Sequence, residues 1–566
     1  MPYVNGVYMG APGSAVVVND SQFNAPTTTG GLGTLFIGPG TDGEPNTLYN
    51  FTTPAQATAT IKGGDGLQAV LNAFAGANKG PGTLSSVSWI RPEQATQATS
   101  NIQSSGAVTQ IVLTTTSYGT LANSSKWMVQ TASTTGYKVS QATDFVGPGG
   151  QTYPAPPAQD NINLPIITIA CTATTPTVTI TDTSFEVLSA GTSLITVTLS
   201  SSVTVQQLVN QLNQISSITA TVADPNPQDA TGALFDNLTS QSISATASTL
   251  YGNVTAVVRY FNNANLYFTA VRQANATSLA TSSAWTYATG GTTPTASNSD
   301  WQNAYTTAQS VSGIALIAPA SSSTTIWAMN DAHCAYMASI GQPRKGYVGD
   351  ASGQTLATEL TNASALNSQY TSVVWPEQKG TDYNGNSTTF APYLVAASIM
   401  GQRAATPAQD ALTQQPVLSN GMGQTVTPSM VAQGLAGGLC ILAPDQSGTV
   451  VCQQDRTTWL QSTAYDKVEN STGLVVNLIT IDLLATLQPF IGKPVSQTQV
   501  ALAADAILNR LVYFYGLGYL VTAPSASDIS LTGSGNTITG NVNAAVAVPT
   551  DYIVLQLTPT ATTVAA

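Results

Sequence analysis

Residues 34–92 read TLFIGPGTDGEPNTLYNFTTPAQATATIKGGDGLQAVLNAFAGANKGPGTLSSVSWIRP, and three pieces of this stretch decide the fold class. TLFIG (34–38) is a short unbroken apolar run closed by glycine, the pattern of a strand buried on both faces. DGLQAVLNAFAGAN (65–78) repeats apolar residues at helical spacing and sets Leu67, Val70, Leu71 and Phe74 on one face. SVSWIRP (86–92) is the next strand. The segment between TLFIG and the helix reads as loop. Strand–loop–helix–strand order favours parallel pairing, hence an α/β core.

The same grammar returns after residue 301. Helical windows fall near 301–312, 324–339, 356–368, 390–403 and 428–436, with strands at 313–318, 346–349, 371–375 and 438–443. A helix at 474–487 carries Leu474, Leu478, Ile481 and Ala485 at helical spacing. Another at 497–515 carries Val500, Ala504, Ile507, Leu508, Leu511 and Tyr515. Two strand-like runs follow, the last being YIVLQL (552–557).

Between 96 and 300 the character changes to Ser, Thr, Ala and Asn, with alternating strand patterns such as PTVTIT (176–181) and LITVTL (194–199). TVQQLVNQLNQI (204–215) is a lone helix signal, and YPAPPAQD (153–160) reads as a connecting loop. No fixed repeat period is present. The fold class is α/β (α+β) and multidomain, with a β-rich insertion and extended terminal arms. The expected boundaries are an arm at 1–20, a first core part at 21–95, an insertion at 96–300, a second core part at 301–460, a C-terminal domain at 461–545 and an arm at 546–566.

Composition narrows the function. Of 566 residues 42% are hydrophobic and only 7% charged, against about a quarter charged in an average soluble protein. A polar, nearly uncharged surface suits packing against copies of itself, because few charges need desolvation. The net charge of −12 and the lack of basic runs argue against nucleic acid. Met1-Pro2-Tyr3-Val4-Asn5 shows no secretory pattern. The most apolar windows, 474–491 and 500–521, are interrupted by Asp482, Gln488, Asp505, Asn509 and Arg510, so no membrane span is expected.

Catalytic signals are sparse. His333 stands mid-helix in MNDAHCAYMAS and reads as a packed or hydrogen-bonded residue, because its neighbour Cys334 points about 100° away. The glycine clusters at 30–33 and 63–66 lack P-loop and dinucleotide spacing and read as turns. Cys171, Cys334, Cys440 and Cys452 form no disulfide or zinc pattern; Cys440 and Cys452 flank a hairpin and read as facing free thiols. No enzyme activity, cofactor or metal is expected.

In their order and spacing the motifs resemble the contractile tail sheath proteins of phages and related injection machines. APGSAVVV, TLFIGPGTDGEPNTLYNFTT, DGLQAVLNAFAGAN and SVSWIRP resemble that family's N-terminal core piece. AHCAYMASIGQPRKGYVGD, ALNSQYTSVVWPE and APYLVAASIMGQRA resemble its central core, and GGLCILAPDQSGTVVCQQDRTTW its hairpin. The run from Val475 to Leu520 around Phe490-Ile491-Gly492 resembles its C-terminal helical pair. The likeness covers 1–92 and 301–566, not the insertion.

The resemblance implies a structural subunit that polymerises helically, in stacked rings, around a tail tube and contracts to drive the tube through a host envelope. Implied partners are further copies of the chain, the tube, the baseplate and the tail terminator, without nucleic acid or membrane insertion. The implied location is the virion tail, with assembly in the host cytoplasm. Val16, Val17 and Val18, and Ile553, Val554 and Leu555, would be arm strands that join sheets of adjacent subunits. Lys493, Asp505 and Arg510 become tube contacts by the same implication, or else the solvated face of the last helix. The competing reading is a β-rich surface adhesin or carbohydrate-binding protein.

Overall fold

A computed structural model describes residues 32–551, together with a short antiparallel pair, Tyr3–Val4 with Val7–Tyr8. The quoted stretch forms the strand Gly33–Ile37, the strand Leu48–Phe51, helix α1 (Pro54–Ile61), helix α2 (Gly64–Ala77) and the strand Val87–Ile90. The first and last of these strands pair in parallel. The expected loop is a correction: it holds Leu48–Phe51, antiparallel to Val87–Ile90, and α1. Thr53 caps α1 by accepting from the Gln56 N–H, and Pro54 stands at its start. Only Ala57 and Ile61 of α1 are buried, so its apolar periodicity is too faint to read.

The chain then leaves the core. Residues 97–287 carry antiparallel strands, helix α3 (Val205–Leu212) and helix α4 (Asn253–Ala264). Two apolar cores sit here: one around Ile111, Leu113, Val139, Phe261 and Phe268, the other around Ile169, Phe185, Val187, Leu208 and Leu212. Arg272 ties the two, pairing with Asp182 at 2.8 Å and donating to the Phe235 carbonyl. The expected α3 is present, with a full capping box on Thr204 and Gln207. The sequence reading missed α4, whose cap comes from afar: Asp236 accepts from the N–H groups of Asn253 and Val254.

Back in the core run α5 (Asn298–Gln309), α6 (Thr324–Ser339), α7 (Leu356–Leu366), α8 (Pro392–Ala404) and α9 (Pro428–Ala436). They alternate with strands at Ile314–Pro319, Lys345–Val348, Thr371–Trp375 and Leu439–Pro444, and Val450–Cys452 follows antiparallel. All five join the three earlier core strands in one eight-stranded sheet, six parallel strands between two antiparallel edges. Gly33–Ile37 lies beside Ile314–Pro319, so residues nearly 300 apart in sequence meet at the centre of the sheet. α2 and α8 cover one face and α5 and α6 the other. At the α2–α8 crossing the backbones nearly touch. A Cβ on Gly76 would lie 2.1 Å from the Ser398 carbonyl oxygen, and one on Gly401 the same distance from that of Ala73.

The chain closes with a short helix, α10 (Tyr465–Val468), then α11 (Asn470–Leu487), α12 (Gln497–Gly516) and a hairpin, Ile529–Ser534 with Thr537–Val542.

Candidate assembly interface

α11 has two dissimilar halves. Residues Asn470 to Val475 are buried, whereas Ile481 and Leu484 are 38% and 48% exposed. The buried end is held by polar groups. The Asn470 amide donates to Asp455 at 2.7 Å and to Ser372 at 2.8 Å, and the Tyr347 hydroxyl donates to Asp455 at 3.1 Å. Arg403, fully buried on α8, stands 3.5 Å from Asp455 and donates to the carbonyls of Thr406, Pro407 and Asp410. Glu469, just before α11, is also fully buried. Burial, and then the nearby carboxylates of Asp455 and Asp551, push its carboxyl well above the usual range.

The other half projects. Phe490 ends the α11 run, and Gly492, at φ +82°, turns the chain toward the Ser496 cap of α12. Asp482 and Arg510 then bolt the two helices together, Nε to Oδ1 at 2.6 Å and Nη2 to Oδ2 at 2.5 Å. The guanidinium also lies 4.5 Å from the centre of the Tyr513 ring. Arg510 is therefore committed inside its own subunit. Asp505 and Lys493 are exposed, with the Lys493 ammonium 5.8 Å over Phe490, and neither enters an ion pair among the described residues.

Between this helical pair and the end of the sheet runs a groove of about 860 Å³, lined chiefly by apolar groups that include Leu32, Ile314, Leu478, Ile481 and Leu517. Tyr336 on α6 and Ile340 just past its end, each about half exposed, continue the apolar surface toward Leu484. Exposed apolar area of this kind marks a contact surface. Among the described residues, Asn470–Phe490 is the one helix long and apolar enough, by length and composition, to cross a membrane, and Asp482 and Gln488 lie within it. Asp482 is neutralised by Arg510, and the first turns lie inside the core. The six arm residues, Val16 to Val18 and Ile553 to Leu555, lie outside the described residues.

His333 is packed, as its position suggests. Its Nε2 accepts from Arg344 at 2.9 Å and its ring lies 5.4 Å from Tyr305. Burial, then the Arg344 charge, holds it neutral, with a pKa of about 3. The Cys440 and Cys452 sulfurs face each other at 3.6 Å as buried free thiols.

No family model and no curated protein sequence matches this chain. Solved structures do. The sheath tail protein from Listeria innocua is similar over 92% of this chain and 92% of its own, with a TM-score of 0.56 at 13% identity. The sheath tail protein from Desulfitobacterium hafniense is similar over 93% of both chains, with a TM-score of 0.54 at 12% identity. The fold is the one those two proteins have.

Proposed function

We propose that this chain is the structural subunit of a contractile tail sheath, polymerising helically around a tube and contracting to drive it through an envelope. One observation carries the reading. The likeness to two sheath tail proteins runs over more than nine-tenths of the chain, insertion included, and is not limited to the α/β core that many unrelated functions share. The projecting half of α11 supports it, since an apolar surface on a chain with 7% charged residues calls for a protein neighbour.

In this reading the subunit does mechanical work and no chemistry. The arms, with Val16 to Val18 and Ile553 to Leu555, add strands to neighbouring sheets and keep subunits linked while rigid bodies rotate. A head-to-tail contact of this sort extends into rings or an open helix. Lys493 and Asp505 face the tube, whereas Arg510 acts indirectly by holding α12 against α11. Baseplate and terminator close the two ends, and assembly takes place in the host cytoplasm. Negative-stain microscopy of purified protein tests the reading: hollow, striated cylinders are expected, and monodisperse particles under every condition would overturn it. Deleting residues 1–20 is expected to leave folded monomer; normal cylinders from that truncation would remove the arms from the account.

A further inference from the structure

The insertion holds a surface that polymerisation does not use in the reading above. The strands Ser125–Thr131 and Tyr137–Thr143 pair in register, and Thr286–Tyr287 pairs along the edge of the first. One face, with Trp127, Val129 and Val139, packs on the insertion's own core. The other face carries Lys126, Met128 and Gln130, each half-buried, beside Tyr287, with Ser140 and Ala142 buried across from Met128 and Lys126. Trp285 stands two residues before Tyr287, on the same side of the chain.

Trp285 is 37% exposed and Tyr287 45% exposed, in a run, 281–287, that is exposed throughout. The chain's other six tryptophans are buried or half-buried. The two rings are also held in place. The Lys126 ammonium lies 5.2 Å from the Trp285 ring centre and 5.5 Å from that of Tyr287. It pairs with Asp144 at 2.5 Å, and the Tyr287 hydroxyl donates to the same carboxylate at 2.5 Å. Rings pinned from one side lose little freedom when something settles on the other.

We infer that this patch binds a neutral, hydroxyl-rich glycan chain. Lys126 pairs with Asp144, and Lys138, opposite Gln130 on the same face, lies in the field of Asp160, so the patch offers little net charge to an ionic ligand. A net charge of −12 on the chain disfavours anionic polymers further. Two rings and a methionine beside Gln130 lack the broad apolar centre that a protein hot spot needs. Sugar rings need less: flat aromatic faces for their C–H faces, and a carboxylate and amide for their hydroxyls. The inference does not depend on the sheath reading.

The test titrates full-length protein with maltohexaose, cellohexaose, laminarihexaose and chitohexaose, with hyaluronan oligosaccharide as the anionic comparison, by calorimetry and tryptophan fluorescence. At least one neutral hexaose is expected to bind. Trp285→Ala is expected to weaken it about tenfold or more. Tyr287→Ala is expected to do nearly as much, and Tyr287→Phe to keep most of the affinity. Val271→Ala, at a 62% exposed position of the same insertion, is expected to change nothing. Unchanged melting of each variant shows that the fold is intact. Three results would overturn the inference: no binding of any neutral hexaose, equal binding by wild type and Trp285→Ala, or binding of hyaluronan alone. Self-association that Trp285→Ala abolishes, without glycan binding, would make the patch a contact between copies and overturn it equally.

Discussion

The α/β core and the insertion use their few charges in opposite ways. The core buries Arg91, Glu93, Arg344, Lys345, Glu359, Arg403, Asp455 and Glu469, whereas in the insertion only Asp224 and Asp236 are buried to a similar degree. In a chain with 42 charged residues, 15 basic and 27 acidic, that is a costly distribution. The core's charges fix where separate chain segments meet: Arg403 on α8 lies against Asp455, next to the start of α11. The insertion meets itself mainly through antiparallel ladders and Thr/Ser pairs, which need no charge, with Arg272–Asp182 as the charged tie between its two cores. The comparison teaches that low overall charge moves electrostatics inward, into the joints of the core.

The strongest way to break this comparison is Arg403→Met. It removes the cation beside Asp455 and the donor to three carbonyls, of which that of Thr406 is buried, and is expected to cost about 4 kcal/mol in a denaturant titration. A loss below about 1 kcal/mol would mean the joint is held by apolar packing alone.

Glu359 comes next. It is fully buried with no partner for either oxygen, and burial, then Asp350, raises its pKa to about 8. A carboxyl whose folded pKa is raised holds its proton in the folded state. Its contribution is complete below the unfolded value near 4.5 and is lost as pH rises through about 8. Glu359→Gln is expected to flatten that slope and to stabilise the core by about 3 kcal/mol at alkaline pH. A wild-type melting temperature that stays constant from pH 5 to 8 would count against it.

Asp236 sharpens the contrast. Burial lifts it to about 6 against the two N–H bonds it accepts from α4, so its own loss of stability spans pH 3.8 to about 6. Between pH 6 and 8 the core is therefore expected to loosen while the insertion holds. Hydrogen exchange followed by region would show it, and equal loosening of both would erase the distinction. Arg510→Ala carries the smallest effect. Its pair with Asp482 is less than one-fifth exposed, and its loss is expected to cost about 1 kcal/mol in thermal unfolding.

Core elements were the more legible in sequence. TLFIG and the 371–375 strand appear where their apolar runs place them, because burial on both faces leaves an uninterrupted signal, and the 324–339 and 428–436 helices also lie where they were expected. α1 and α4 were hidden for different reasons. α1 buries only two side chains, and α4 is capped by Asp236, 17 residues upstream. Of the candidate contacts, the exposure of Lys493 and Asp505 fits their polar character. The capture of Arg510 by Asp482, 28 residues away, has no local trace.

By itself the sequence determined the period and polarity of each segment, and so which of the strongly periodic segments become buried strands and which become helices, and that the surface would be nearly free of charge. Tertiary structure alone decided that residues 33–37 and 314–319 share the centre of one sheet, which half of α11 stays uncovered, and that Trp285 and Tyr287 face water over Lys126. The reason is physical: periodicity records how much of a side chain is buried, an average over local positions. What a side chain is buried against depends on segments hundreds of residues away.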